Sequence, residues 1–240
     1  MTEDWPALRR LTAARIGLTR TGASLGTAPL LEFRLAHARA RDAVHAVLDE
    51  EEVAAALAGL LLRAASQAGD RRTFLMRPDL GRALDPASAA MLAGHAGPYD
   101  LAVVLGDGLS AQAIERHAAP LLAVLLPELH AWTLAPLVLV RQARVAVGDR
   151  VAEALGAGAV LMLIGERPGL SAPDSLGAYL TWAPGPATTD AGRNCVSNIR
   201  PDGLGYAEAA FRLAFLLGRM RELQASGVAL KDDSASGLLH

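Results

Sequence analysis

The sequence predicts an α/β fold, with an N-terminal helical arm followed by a Rossmann-like, mostly parallel sheet flanked by helices. Three observations predict it. Residues 101–105 and 159–164 are apolar at every position, as a strand buried on both faces reads. Segments of helical periodicity separate such runs, and strand–helix–strand alternation calls for crossovers within a parallel sheet. The first quarter, by contrast, carries helical signals and no obvious strand.

In chain order, residues 28–47 read as the first helix. Thr27 suits the cap and Pro29 the first helical position, while Leu30, Leu31, Phe33, Leu35, Ala38 and Val44 supply an apolar side. Arg34, Arg39, Arg41 and Asp42 occupy the rest. A second helix over 50–58 opens with Glu50, Glu51 and Glu52, which favour a helix N-terminus. A first strand is expected at 60–65 and a short helix at 78–84. The strand at 101–105 lies between Pro98-Tyr99-Asp100 and Gly106-Asp107-Gly108. Ser110 then caps a helix reaching residue 126, with Ile114, Ala118, Leu121, Leu122 and Leu125 on one side. Strands at 136–140, 159–164 and 178–182 follow, with a helix at 149–155. A long amphipathic helix over 206–223 closes the domain before Ser226-Gly227. Two units result: the arm, 1–58, and the Rossmann-like domain, 59–240. Ligands of such open sheets sit beyond the carboxyl ends of the strands. That singles out the segment after Val140, residues 165–184, and a polar loop at 190–205 around the only cysteine.

Composition narrows the function. At 240 residues the chain holds one or two domains and buries a full core without disulfides or metal staples. Its 23 basic and 25 acidic groups nearly cancel, which argues against a nucleic-acid binder. Fifty-two per cent of residues are hydrophobic and only 4% aromatic, with a mean hydropathy of +0.26, high for a soluble chain that stands alone. Charges interrupt every apolar stretch before the ~20 residues a membrane span needs. The start, Met1-Thr2-Glu3-Asp4-Trp5, lacks the basic-then-apolar order of a secretory signal, and lone Cys195 fits a reducing compartment. The expected location is the cytoplasm.

Several chemistries fail on spacing. Lys231, the only lysine, follows Leu230 in a tail, so there is neither a Walker A loop nor a Schiff-base lysine in a core pocket. Gly156-Ala157-Gly158 has Leu161 where a dinucleotide fingerprint needs its third glycine, and it precedes a strand instead of following one. The six histidines form no close pair and Cys195 has no cysteine neighbour, so metal spacing is missing. Gly22-Ala23-Ser24-Leu25-Gly26 matches the nucleophile-elbow letters, but residues 12–19 do not make the central strand that an elbow requires.

Seven blocks carry a resemblance. They are Thr21-Gly22-Ala23-Ser24-Leu25, residues 35–44 (LAHARARDAV), Arg77-Pro78-Asp79-Leu80-Gly81-Arg82, Asp107-Gly108-Leu109-Ser110-Ala111, Gly165-Glu166-Arg167-Pro168-Gly169-Leu170, residues 193–199 (RNCVSNI) and Ser226-Gly227-Val228. Together they span nearly the whole chain, which resembles the small (light) subunit of ethanolamine ammonia-lyase. The resemblance implies an adenosylcobalamin-dependent lyase converting ethanolamine to acetaldehyde and ammonia through radicals. It implies a large TIM-barrel subunit that holds substrate and reacting groups, with this chain helping to close the cobalamin site at the interface. No catalytic residue is expected here. The resemblance places cofactor contacts on Val145, Glu166 and Cys195. It also raises packaging in a bacterial microcompartment, although the N-terminal extension some relatives use for this does not precede the first matching block.

Each of these residues has a plainer reading. Val145, just beyond a strand end, also suits a core valine. Glu166 would accept hydrogen bonds from corrin amides, or pair in its turn with Arg167 or Arg193. Cys195 suits cofactor packing or a small buried hydrophobe. The rival functions are a Rossmann-like binding or scaffold module without cobalamin, and an independent nucleotide-dependent α/β enzyme. The second would need phosphate-binding glycines after its first strand, and these are missing. The helical arm, with Arg39 and Arg41 pairing with acidic groups on a partner or on this chain, is expected to dock on the large subunit.

Overall fold

The computed structural model describes residues 5–12, 14–57 and 61–234. The acidic N-terminal start, the expected boundary at 58/59 and Leu60 lie outside the described residues.

A short helix α1 (Trp5–Arg9) leads to a two-stranded hairpin, β1 (Arg20–Thr21) and β2 (Ser24–Leu25). Gly22, at φ 62°, takes the first of the two loop positions, the place a type II′ turn reserves for glycine. The first quarter therefore does contain strands, two residues each, too short for any periodicity to reveal. Ser24 is paired within this hairpin, so the elbow letters describe a turn.

Helix α2 (Thr27–His45) begins one residue earlier than expected. Gly26 is the extended cap residue, with no side-chain bond, and Pro29 falls at the third position. Ala43 is its only buried residue. In α3 (Glu50–Leu57) the three glutamates fill the first turn as expected, and Asp49 caps it, accepting from the Glu51 and Glu52 N–H groups at 3.0 Å. Strand β3 (Leu61–Ala65) precedes three short helices, α4 (Arg71–Met76), α5 (Pro78–Gly81) and α6 (Pro86–Ala93), where the sequence suggested one. Asp70 and Asp85 cap α4 and α6, accepting from Thr73 N at 2.8 Å and Ser88 N at 3.0 Å.

The remaining elements are β4 (Leu101–Gly106), α7 (Ala111–Glu128), β5 (Leu137–Arg141), α8 (Val147–Leu155), β6 (Ala159–Gly165), β7 (Leu176–Trp182), β8 (Arg193–Ile199) and α9 (Tyr206–Leu223). Ser110 occupies the α7 cap position, yet its hydroxyl donates to Pro173 O at 3.1 Å instead of capping. The sheet order is β3-β5-β4-β6-β7-β8, parallel through β6 and antiparallel for β7 and β8.

Both faces of the centre are covered, which explains the unbroken apolar runs. Leu101, Val103 and Leu105 share one core with α7 and α9, and Ala102 and Val104 share the other with α8. Val53 of α3 joins the first core. The polar stretch at 193–199, expected as a loop, is instead edge strand β8. Val196 and Ile199 face the α7/α9 core, and their polar neighbours hide the alternation. A register shift there leaves two β8 residues, Ser197 and Asn198, without partners, with Asn198 at φ 59°. The edge is locked by the following turn: Asn194 Oδ1 accepts from Gly227 N at 2.7 Å and its Nδ2 donates to Leu230 O at 2.7 Å. No helix among the described residues is long and apolar enough to cross a membrane.

Candidate functional site

Because β6 turns back into β7 without a crossover helix, the β7–β8 face opposite α9 is left open beside the start of α8. Two adjoining cavities of about 450 and 400 Å³ occupy it, sharing Arg144, Val145 and Tyr179. A third, of about 330 Å³, continues past Arg82, Ala146 and Arg193 to Thr188 and Thr189. The three residues singled out by resemblance meet in this groove. Val145 lines both adjoining cavities, Glu166 one and Cys195 the other. They come from the β5–α8 loop, the end of β6 and the middle of β8, which the sheet alone brings together.

The loop that carries Val145 is fixed from below. Asp107, 4% exposed, accepts from Gln142 N at 3.0 Å and Ala143 N at 2.9 Å, so it holds Gln142 in a left-handed conformation (φ 53°). Burial pushes its carboxyl above the usual range, against the pull of those two N–H groups and of Arg71. Arg71 donates to Val44 O and Gly108 O, both at 2.7 Å, tying the end of α2 to the same corner. Gly108, at φ 55°, lies against β6. A Cβ there would stand 2.2 Å from Gly165 O, so only glycine allows the approach. Val145 is half-buried, touching the α8-side core on one side and the groove on the other.

Glu166 pairs with neither Arg167 nor Arg193. Its Oε2 accepts from Ser175 Oγ at 2.5 Å and from the bulged Asn198 N at 3.2 Å. Among the described residues its Oε1 accepts no hydrogen bond, and it lies over Gly177, where a Cβ would come within 2.8 Å. One carboxylate oxygen is therefore uncommitted. Arg193 instead forks onto Asp149 of α8 at 2.7 and 2.6 Å and donates to Thr181 Oγ1 at 2.9 Å, a buried pair that braces the groove from behind.

Cys195 is exposed along the groove rather than a buried hydrophobe. The protein around it pushes the thiol pKa up; the Tyr179 hydroxyl beside it opposes this, and the Glu166 carboxylate adds to it. A raised thiol is the reverse of an activated nucleophile. Tyr179 is itself pushed up, first by burial and then by Cys195 and Glu166.

The arginines were not foreseen as site residues. Arg144 Nη2 donates to Phe74 O at 3.1 Å and its guanidinium lies 4.2 Å from the Phe74 ring, but its buried Nε has no partner. Among the described residues, the side chains of Arg82 and Arg167 form no ion pair or hydrogen bond. A buried unsatisfied donor costs roughly 1–3 kcal/mol, a cost a bound acceptor would remove. Tyr179 could have been found from the alternation of 178–182, since it must face away from Ala178 and Leu180. The arginines carried no such signal.

The family model for the ethanolamine ammonia-lyase light chain (EutC) matches residues 2–231. The chain belongs to that family. Curated proteins named ethanolamine ammonia-lyase small subunit are similar along almost its whole length. The one from Ralstonia nicotianae is 54% identical over 98% of this chain and 90% of its own. Those from Azotobacter vinelandii and Pseudomonas syringae pv. tomato are 55% and 53% identical, each over 96% of this chain and over 88% and 83% of their own. The described residues include no group of three or more His, Cys, Asp or Glu able to hold a metal ion. What the groove offers is an apolar wall, a free carboxylate oxygen and unpaired guanidiniums. Such groups suit the binding and orientation of a ligand.

Proposed function

We propose that this chain is the small subunit of an adenosylcobalamin-dependent ethanolamine ammonia-lyase, helping to hold the cofactor where it meets the large subunit. One observation carries the reading: Val145, Glu166 and Cys195, spread over 51 positions (145 to 195) of sequence, line one continuous groove. The groove fits the cofactor chemically. A corrin's rim ends in amide donors, and Glu166 Oε1 is an unused charged acceptor. Val145 and Ala146 supply apolar contact beside Tyr179 and Cys195.

When bound, adenosylcobalamin supplies a cobalt–carbon bond whose homolysis starts the radical deamination of ethanolamine to acetaldehyde and ammonia. This chain's residues bind, orient and exclude water; the reacting groups belong to the large subunit. Asp107 and Arg71 hold the Val145 loop in place, and Ser175 and Asn198 aim Glu166. Residues 1–58 serve as the docking arm. The exposed Leu31, Phe33 and Leu35 of α2 suit burial against a permanent partner. The single thiol accords with the reducing cytoplasm.

The test is co-expression with a large-subunit gene. The purified pair should carry a corrin absorption spectrum and deaminate ethanolamine, whereas this chain alone with added adenosylcobalamin should not. A colourless, stable pair that takes up no corrinoid would leave only the cobalamin-free scaffold.

A further inference from the structure

The groove's charges do not balance, and the excess is positive. Four guanidiniums gather around the Val145 loop: Arg82 and Arg144 line one cavity, Arg144 and Arg167 the next, and Arg71 lies beneath. Every nearby carboxylate is at least partly engaged. Asp107 serves two backbone N–H groups, Asp149 serves Arg193, and Asp190 lies 3.5 Å from Arg193 Nε. Among the described residues Glu166 has one free oxygen and no cationic partner. Arg144 stands at the centre with its buried Nε unpartnered, and its own charged form is disfavoured first by burial and then by Arg71, Arg82 and Arg167. Three exposed or half-exposed guanidiniums without a carboxylate partner among the described residues, around two adjoining cavities and with a buried donor among them, select a compact anion with several acceptor oxygens.

We propose that Arg82, Arg144 and Arg167 form an anion subsite that takes the phosphodiester of the cofactor's nucleotide arm. This rests on the cobalamin reading above. It assigns the phosphate to this chain: Glu166 takes the amide rim and the arginines take the phosphate. Arg144, already oriented by Phe74, contributes most, and Arg82 and Arg167 add charge from either side.

The test compares two truncated corrinoids on the assembled two-chain enzyme, adenosylcobinamide and adenosylcobinamide phosphate, by equilibrium dialysis read at visible wavelengths. The wild-type complex should bind the phosphate-bearing form at least tenfold more tightly, about the effect of one charged hydrogen bond. That advantage should fall below roughly threefold in Arg144→Gln and shrink in Arg82→Ala and Arg167→Ala, while cobinamide itself binds as before. Arg144→Lys should restore part of it, and added salt should erode it in the wild type. Equal binding of the two corrinoids by the wild type, or an undiminished advantage in all three variants, overturns the subsite. So does loss of the large subunit from the exposed Arg82→Ala and Arg167→Ala chains, which would assign the arginines to carboxylates of that partner. A wild-type complex that binds neither corrinoid overturns the cobalamin reading itself.

Discussion

Glu166 is aimed from two sides by groups it did not choose in sequence: a serine nine residues on and a backbone N–H freed by the β8 bulge. Glu166→Ala should therefore weaken corrinoid binding by the assembled enzyme by ~1–3 kcal/mol, the cost of a lost charged acceptor. Ser175→Ala should weaken it less. An unchanged dissociation constant in both variants would count against the assignment. Behind the groove, Asp149→Ala strands the buried Arg193 guanidinium and should destabilise the fold by roughly 3–5 kcal/mol in urea unfolding. A loss below about 1 kcal/mol, as surface pairs give, would mean that Arg193 finds another partner. Residue chemistry was only partly legible. The alternative pairing of Glu166 with Arg167 or Arg193 does not form, and its actual partners were not foreseen, because a β-bulge and a serine across a loop leave no trace in local spacing. Of the two readings of Cys195, the small buried hydrophobe fails, because an edge strand with one bare face puts the thiol outside.

Helices α7 and α9 meet over a polar contact that the apolar pattern of α7 does not announce. His117, 5% exposed, meets the Tyr206 hydroxyl at 2.8 Å, while its Nε2 stands 3.6 Å from Asp174, which Arg116 holds at 2.7 Å. Burial pulls the imidazole pKa below its ordinary value, with Asp174 opposing and Arg116 assisting. As pH falls below about 6.5, the unfolded chain takes up a proton that the folded chain refuses. His117 thus contributes stability above that pH and loses it as pH falls through the lowered folded value. Thermal midpoints of the assembled protein should drop between pH 7 and 5, and His117→Gln should flatten that drop; parallel curves would show that this histidine is not responsible. At this scale the long apolar elements were readable, and α9 fell on residues 206–223 as expected. The short ones were not. The hairpin turns on Gly22, α4 and α6 are capped by Asp70 and Asp85, and α5 opens on Pro78, none of which periodicity reports.

For the whole molecule, the high apolar content and the exposed side of α2 belong together. Leu31 and Leu35 are 58% and 53% exposed on a helix with one buried residue, an arrangement that suits half of an interface. Replacing both by aspartate should lower recovery of the large chain in co-purification at least severalfold while raising the solubility of this chain alone. Undiminished recovery would place the docking surface elsewhere. The doubly covered centre of the sheet was legible because buried parallel strands are apolar throughout, and its antiparallel rim was not, because polar residues interrupt it. That rim has one more consequence. Strand β8 ends the sheet, and an open ladder is a template on which other chains extend. Ser226, Gly227 and Leu230 fasten onto the Gly192 carbonyl and the Asn194 side chain, and so cover the start of that edge. The terminal turn thus works as a guard against fibre growth. A chain stopped after Leu223 should bind thioflavin T and scatter light on mild warming, while the full chain stays clear; equal behaviour of the two would show the guard to be dispensable.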